Sequence, residues 1–127
     1  MSPKILQDYF DEIDQLLRNS ANIYVEEFKV SSLTSERANL RLKVRFAFKY
    51  LLAVSEIIVV VDNQIEYIDY RYHFQDAQNN LIFRYDSTPH FPKLPSFPHH
   101  KHLPDNVIAC KKPYIAEVLK EVMELLE

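Results

Sequence analysis

Apolar residues recur along this chain with two periods, and each period names an element. Ile5, Leu6, Tyr9, Phe10, Ile13, Leu16 and Leu17 fall three and four residues apart behind Ser2-Pro3. That spacing predicts an amphipathic helix running to about residue 19. Residues 23–32 read as a strand in which the Glu26-Glu27 pair interrupts the alternation and marks a bulge. Leu40, Leu42, Val44, Phe46 and Phe48 alternate with Arg41, Lys43 and Arg45, the pattern of a half-buried antiparallel strand. Residues 50–61 are nearly all apolar apart from Ser55 and Glu56, which predicts a central strand covered on both faces, and Asp62-Asn63 supplies a hairpin turn. Residues 65–75 set Ile68, Tyr70, Tyr72 and Phe74 against Tyr67, Asp69, Arg71, His73 and Gln75. After a turn at 76–79, residues 81–86 set Leu81, Phe83 and Tyr85 against Ile82, Arg84 and Asp86. Pro113 then starts a closing helix with Ile115, Val118, Leu119, Val122 and Leu126 on one stripe. Five consecutive strands with short connections predict an α+β two-layer sandwich, in which a five-stranded antiparallel meander carries both terminal helices on one face.

Composition narrows the chemistry. A chain of 127 residues with 47% hydrophobic content suits one domain spanning 1–127. The single Cys110 excludes an intramolecular disulfide, and neither a signal-type segment nor a run of about eighteen apolar residues is present. A soluble, cytoplasmic protein without membrane contact is the expectation. The chain has no glycine, so the P-loop, the GxGxxG turn and the GxSxG nucleophile elbow are all excluded. A net charge of −3 gives no global attraction to nucleic acid, so any such binding must come from a local patch.

One patch is evident. The strand face away from the helices would carry Arg41, Lys43, Arg45, Arg71, His73 and Arg84 beside Asp69 and Asp86, with Tyr67 as a stacking platform. Alternate strand residues stand about 7 Å apart, close to the separation of phosphates along one nucleic-acid strand. Ordinary solvated charges, partly neutralised across strands by Asp69, are the simpler explanation of the same pattern.

The second concentration of chemistry is residues 85–102, which hold four of the five histidines and prolines at 89, 92, 95 and 98. That proline spacing predicts polyproline II, with Phe91, Leu94 and Phe97 on one edge and His90, Lys93, Ser96, His99 and His102 on another. A straight segment would part His90 from His99 by roughly 28 Å, which argues against a single four-histidine metal cage. His99, His100 and His102 lack both the i,i+4 spacing of HExxH sites and cysteine partners, so no metal and no cofactor is expected. Histidines beside cations instead suit metal-independent RNA cleavage. One group takes the ribose 2′-hydroxyl proton, another protonates the leaving 5′-oxygen, and Arg84 or Lys101 neutralises the phosphate. An idle solvent-facing loop tip is the alternative. Asp86 ahead of Ser87-Thr88-Pro89 is expected to cap a turn, and Cys110 between lysines to be a buried or idle thiol.

In residues 70–90, YRYHFQDAQNNLIFRYDSTPH, and again in 97–102, FPHHKH, the chain resembles the TumE-type toxins of type II toxin–antitoxin pairs. Phe91 stands where a second histidine after His90 would be expected. The resemblance implies a growth-inhibiting protein paired with an antitoxin, a DNA-binding one of helix-turn-helix type. Small toxins of such pairs are often ribonucleases. With the basic face and the histidines, this gives the leading expectation of an RNA-directed toxin. His99 and His102 would be acid and base, Arg84 the phosphate ligand, His73 and His90 reserves, and Arg41, Lys43, Arg45, Arg71 and Lys101 the substrate-holding cations. A non-catalytic module that binds the antitoxin or another protein through the Pro/His-rich loop and the basic sheet is the alternative. A metal-dependent nuclease using Asp86, His99 and His102 is a third, and the sheet edge would equally suit a homodimer.

Overall fold

The computed structural model describes residues 4–88 and 92–127. Helix α1 (Lys4–Arg18) is followed by strands β1 (Ile23–Ser32), β2 (Arg37–Phe46), β3 (Tyr50–Val61), β4 (Gln64–Gln75), β5 (Leu81–Asp86), β6 (His100–His102) and β7 (Val107–Ala109), and helix α2 (Ile115–Leu125) closes the chain. Each strand pairs antiparallel with the next, giving a meander in the order β1-β2-β3-β4-β5-β6-β7. The α+β class and the antiparallel meander are as expected, but the sheet has seven strands rather than five. The two extra strands are three residues each, too short for an alternation to register in sequence.

Strand periodicity assigns the core. Leu40, Leu42, Val44 and Phe46 of β2, Leu52 and Val54 of β3, Tyr70, Tyr72 and Phe74 of β4 and Phe83 of β5 share one buried face. Ile13 and Leu17 of α1 and Ile115, Val118, Leu119 and Val122 of α2 join the same core, so the apolar stripes of both helices cover that face. The Tyr114 N–H donates to Glu117 Oε1 at 2.9 Å, so a carboxylate satisfies one open N–H at the start of α2. Pro113 therefore lies just before the helix rather than at its first position. The turns do without glycine by setting Asn22, Ala47, Phe48, Asp62, Asn63 and Asn79 at positive φ. Asp62-Asn63 makes the expected hairpin turn between β3 and β4.

Further expectations are corrected. Phe48 lies in the β2–β3 turn and is 88% exposed, because β2 ends at Phe46. The pairing of β3 with β4 shifts between Ile57 and Ile58, so Ile58 faces Tyr67 while Ile57 faces Asp69. That bulge turns Tyr67 to the helix side, where its hydroxyl bonds Tyr9 at 3.0 Å, and leaves Ile68 half exposed. Tyr67 is thus no stacking platform on the open face. Residues 92–98 form turns closed by Phe97 N–H to Leu94 O at 3.1 Å and His99 N–H to Ser96 O at 2.8 Å, whereas polyproline II has no internal hydrogen bonds. The remainder of that expectation, Pro89, His90 and Phe91, lies outside the described residues. The bulge expected at Glu26-Glu27 is present, between Val25 and Glu27. The open-face side chains of β3 are half-buried or exposed rather than fully covered.

On the helix side of the sheet an ionisable group is buried among the apolar side chains. Glu56 of β3 is 1% exposed and accepts hydrogen bonds from the Tyr9 hydroxyl at 2.5 Å and from the Tyr72 hydroxyl. Burial raises the Glu56 carboxyl above its ordinary range, against the opposing pull of the two hydroxyls and Lys112. The Lys112 ammonium stands 3.7 Å from the centre of the Tyr67 ring and 5.2 Å from those of Tyr70 and Tyr72. Burial lowers its pKa to about 8, although Glu56 and Glu117 raise it. The network ties α1, the sheet and the approach to α2 together. Tyr72→Phe removes one donor to Glu56 and is expected to cost about 1.5–3 kcal/mol in urea unfolding. Because the folded carboxyl is raised, its contribution is fully present below the unfolded value near 4.5 and is lost as pH rises through the folded value. The stability difference between wild type and Glu56→Gln is therefore expected to fall as pH rises above 4.5, and a difference independent of pH would contradict the assignment.

Candidate functional site

Two rows of side chains cross the open face of the sheet, each set by strand register. The first runs Glu27, Lys43, Ala53, His73, Arg84 and His102 from β1 to β6. The second runs Lys29, Arg41, Ser55, Arg71, Asp86 and His100 over the same strands. The small side chains of Ala53 and Ser55 leave a depression along β3, walled by Arg41 and Lys43 on one side and by Arg71, His73 and Arg84 on the other. The groove has a volume of about 300 Å³. Glu27 approaches Arg41 at 3.8 Å, too far for a hydrogen bond, and among the described residues Lys43, Arg71 and Arg84 form no ion pair. The groove is therefore cationic in a chain whose overall charge is negative.

Arg84 is held in place. Its Nε–H donates to His73 Nδ1 at 3.0 Å, and the other ring nitrogen of His73 lies 2.9 Å from Gln75 Oε1. An Nδ1 that accepts from a guanidinium carries no proton, so His73 is neutral with its hydrogen on Nε2, donating to Gln75. Burial lowers the His73 pKa, the Gln75 hydrogen bond raises it, and the charges of Arg84 and Arg71 lower it further. His73 thus orients Arg84 rather than supplying a proton.

At the β5–β6 end of the groove, Asp86 Oδ1 lies 2.6 Å from His100 Nε2 and Oδ2 lies 3.6 Å from His102 Nε2. Asp86 and His100 are buried, whereas His102 is partly open to solvent. The two imidazole rings meet edge to face with centres 4.7 Å apart. Asp86 also caps the turn after β5, its Oδ1 accepting the Thr88 N–H at 3.2 Å, as the sequence suggested. Asp86 and His100, absent from the principal expected set, are thus part of the site. The sequence signal for them was the alternation of strand 81–86 and the position of His100 two residues before His102.

The expected residues separate into three groups. Arg41, Lys43, Arg71, His73 and Arg84 line the groove, and His102 pairs with Arg84 at its end. Arg45 is on the same face but is bound to Glu26 at 2.6 Å, outside the groove. His99 and Lys101 belong to the other side of the sheet. His99 Nδ1 lies 2.9 Å from the Tyr70 hydroxyl with the rings stacked, and Lys101 Nζ donates to Glu121 of α2 at 2.6 Å above the rings of Phe83 and Tyr85. Strand alternation explains both, since residues 99 and 101 point opposite to 100 and 102. The structure therefore does not bring His99 and His102 together as an acid–base pair. His90 lies outside the described residues. The Cys110 thiol is pushed up by burial, with Asp86 adding to that shift and Lys101 opposing it, so it is not an activated nucleophile.

If Arg84 and the neutral His73 are coupled as described, the NMR titration midpoint of His73 lies below 6.5, and Arg84→Leu moves it upward. A wild-type midpoint at or above 6.5 would rule the coupling out.

Comparison with known proteins bears on the whole of this arrangement. Searches of curated proteins and of solved structures each found no match. The family model described as Toxin TumE matches residues 13–127, a span that includes every strand, the basic groove and the Asp86–His100–His102 corner, and the chain therefore belongs to the TumE toxin family.

Proposed function

We propose that this toxin acts on RNA as a ribonuclease that needs no metal, binding the phosphate backbone along the cationic groove and cleaving it at the β5–β6 end. The observation that carries this reading is the groove itself, in which a small-residue floor is flanked by Arg41, Lys43, Arg71 and Arg84. Such a channel follows a single strand through its phosphates and reads little sequence. Arg84, fixed by His73, is the phosphate ligand. His102 is the proton-transfer group, taking the ribose 2′-hydroxyl proton and returning it to the leaving 5′-oxygen, because it combines partial exposure with a carboxylate behind it and a cross-strand position beside Arg84. Arg41 and Lys43 hold substrate further along, while His99 acts only on the helix side, against Tyr70. We place the action in the cytoplasm, where its substrate would be.

Membership of a toxin family implies an antitoxin partner, and we take it to be a DNA-binding helix-turn-helix protein. A second reading, inhibition by binding alone, is favoured by a cleft of about 390 Å³ between the helices, lined by Tyr9, Ile13, Leu16, Tyr67, Tyr114 and Ile115. Its apolar lining suits a protein segment better than a phosphate chain.

The two readings part in a direct assay with purified protein and end-labelled RNA. Cleavage is expected to fall by about 100-fold or more in His102→Ala with RNA affinity retained, the scale of losing general acid–base catalysis. Arg41→Gln with Lys43→Gln is expected to reduce the slope of log affinity against log salt by about 1.4, about 0.7 for each lost single-strand phosphate contact. Intact RNA with growth arrest in both wild type and His102→Ala would move the function to the helix-side cleft.

A further inference from the structure

The His100 ring poses a problem of lone pairs. Its Nδ1 lies 2.9 Å from the carbonyl oxygen of Pro98, and a carbonyl only accepts, so Nδ1 carries hydrogen. In a neutral imidazole the other nitrogen is then a lone pair, yet His100 Nε2 sits 2.6 Å from Asp86 Oδ1, itself an acceptor. Two lone pairs at that distance require a cation between or beside them, either a second proton or a metal ion. His102 offers a third donor atom, and the ligand atoms of Asp86, His100 and His102 all lie within 4.8 Å of one another. An imidazole whose Nδ1–H is anchored on a backbone carbonyl while Nε2 faces inward is the arrangement found around metal-ligating histidines.

We propose that Asp86, His100 and His102 form a binding site for a borderline divalent transition-metal ion, of which zinc is the representative. Two imidazoles and one carboxylate suit zinc and its neighbours and suit calcium or magnesium poorly, since those prefer all-oxygen shells. Zinc takes such ligands at about 2.0–2.2 Å, so the three side chains need only spread slightly around the ion. The deep burial of Asp86 and His100 shields two ligands, and the partial exposure of His102 places the third at the edge of the groove. The site joins the groove through the Arg84–His102 pair. Its consequence for function rests on the ribonuclease reading above. An ion held by His102 occupies the nitrogen that would otherwise move the proton, so zinc inhibits the metal-free enzyme.

Binding is tested without reference to activity. Metal-free protein is titrated with Zn²⁺ by calorimetry and with Co²⁺ by visible absorption, in wild type, His102→Ala and His99→Ala. One ion per chain is expected, with affinity about tenfold or more weaker in His102→Ala and unchanged in His99→Ala, whose ring is on the other side of the sheet. His102 is the variant of choice because it is the least buried ligand, whereas His100→Gln risks the fold. Failure of folded wild type to bind either ion, or equal affinity in His102→Ala, would overturn the site and leave a proton as the cation between His100 and Asp86. Activity then separates the two proposals. Cleavage by chelated protein that zinc suppresses supports both, while cleavage abolished by chelator and restored by zinc keeps the site and removes the metal-independent mechanism.

Discussion

The arrangement of the functional face depends on a buried carboxylate. Asp86 ends β5 and is nearly inaccessible, and an isolated buried charge would cost several kcal/mol. Its partner is His100, which the chain delivers as the first residue of β6 after the turns at 92–98. The contact therefore helps to decide where the chain re-enters the sheet. Once Asp86 faces His100, register fixes Arg84 opposite His102 and Tyr85 opposite Lys101. Everything assigned to the end of the groove follows from that pairing.

The sheet in turn separates two chemistries. Its helix side buries Glu56 among tyrosine hydroxyls, holds Lys112 over aromatic rings and pairs Lys101 with Glu121. These charges are committed to holding α1, α2 and the sheet together. On the open side, Arg45 is compensated by Glu26, whereas Arg41, Lys43, Arg71 and Arg84 surround a depression in which Glu27, 3.8 Å from Arg41, is the one acid among the lining residues. Exposed acids, among them Asp8, Asp11, Glu12, Glu117 and Glu124, are carried by the helices, so an acidic chain still presents a cationic groove. An anionic strand would be drawn to one face and repelled by the other.

Much of this frame was legible in the residues. The alternation in β2 and β5 placed Arg41, Lys43, Arg84 and Asp86 on a common face, and the helical stripes identified the side to be covered. The failures have local causes. A bulge at Ile57–Ile58 reversed Tyr67 and Ile68, which strict alternation cannot foresee. Phe48 continues the β2 alternation past the strand's end, so its pattern alone does not reveal the turn. The three-residue strands β6 and β7 exist through pairing with β5 and with each other rather than through their own composition, so in sequence the histidines between 99 and 102 look like one loop. As a strand, that segment sends His100 and His102 to the groove and His99 to the core side. The value of Ala53 and Ser55 was equally hidden, because small residues in an apolar strand become a groove floor only when basic strands flank them.

The central claim, that the open face of the sheet is where this toxin meets RNA, is most directly tested by an NMR titration with a short single-stranded oligonucleotide carrying 2′-O-methyl sugars to prevent cleavage. The account predicts amide and side-chain shifts concentrated at Arg41, Lys43, Ser55, Arg71, Arg84 and His102, weakening as salt is raised. Shifts confined to Tyr9, Tyr67, Tyr114 and the helices, or none at any salt concentration, would contradict it.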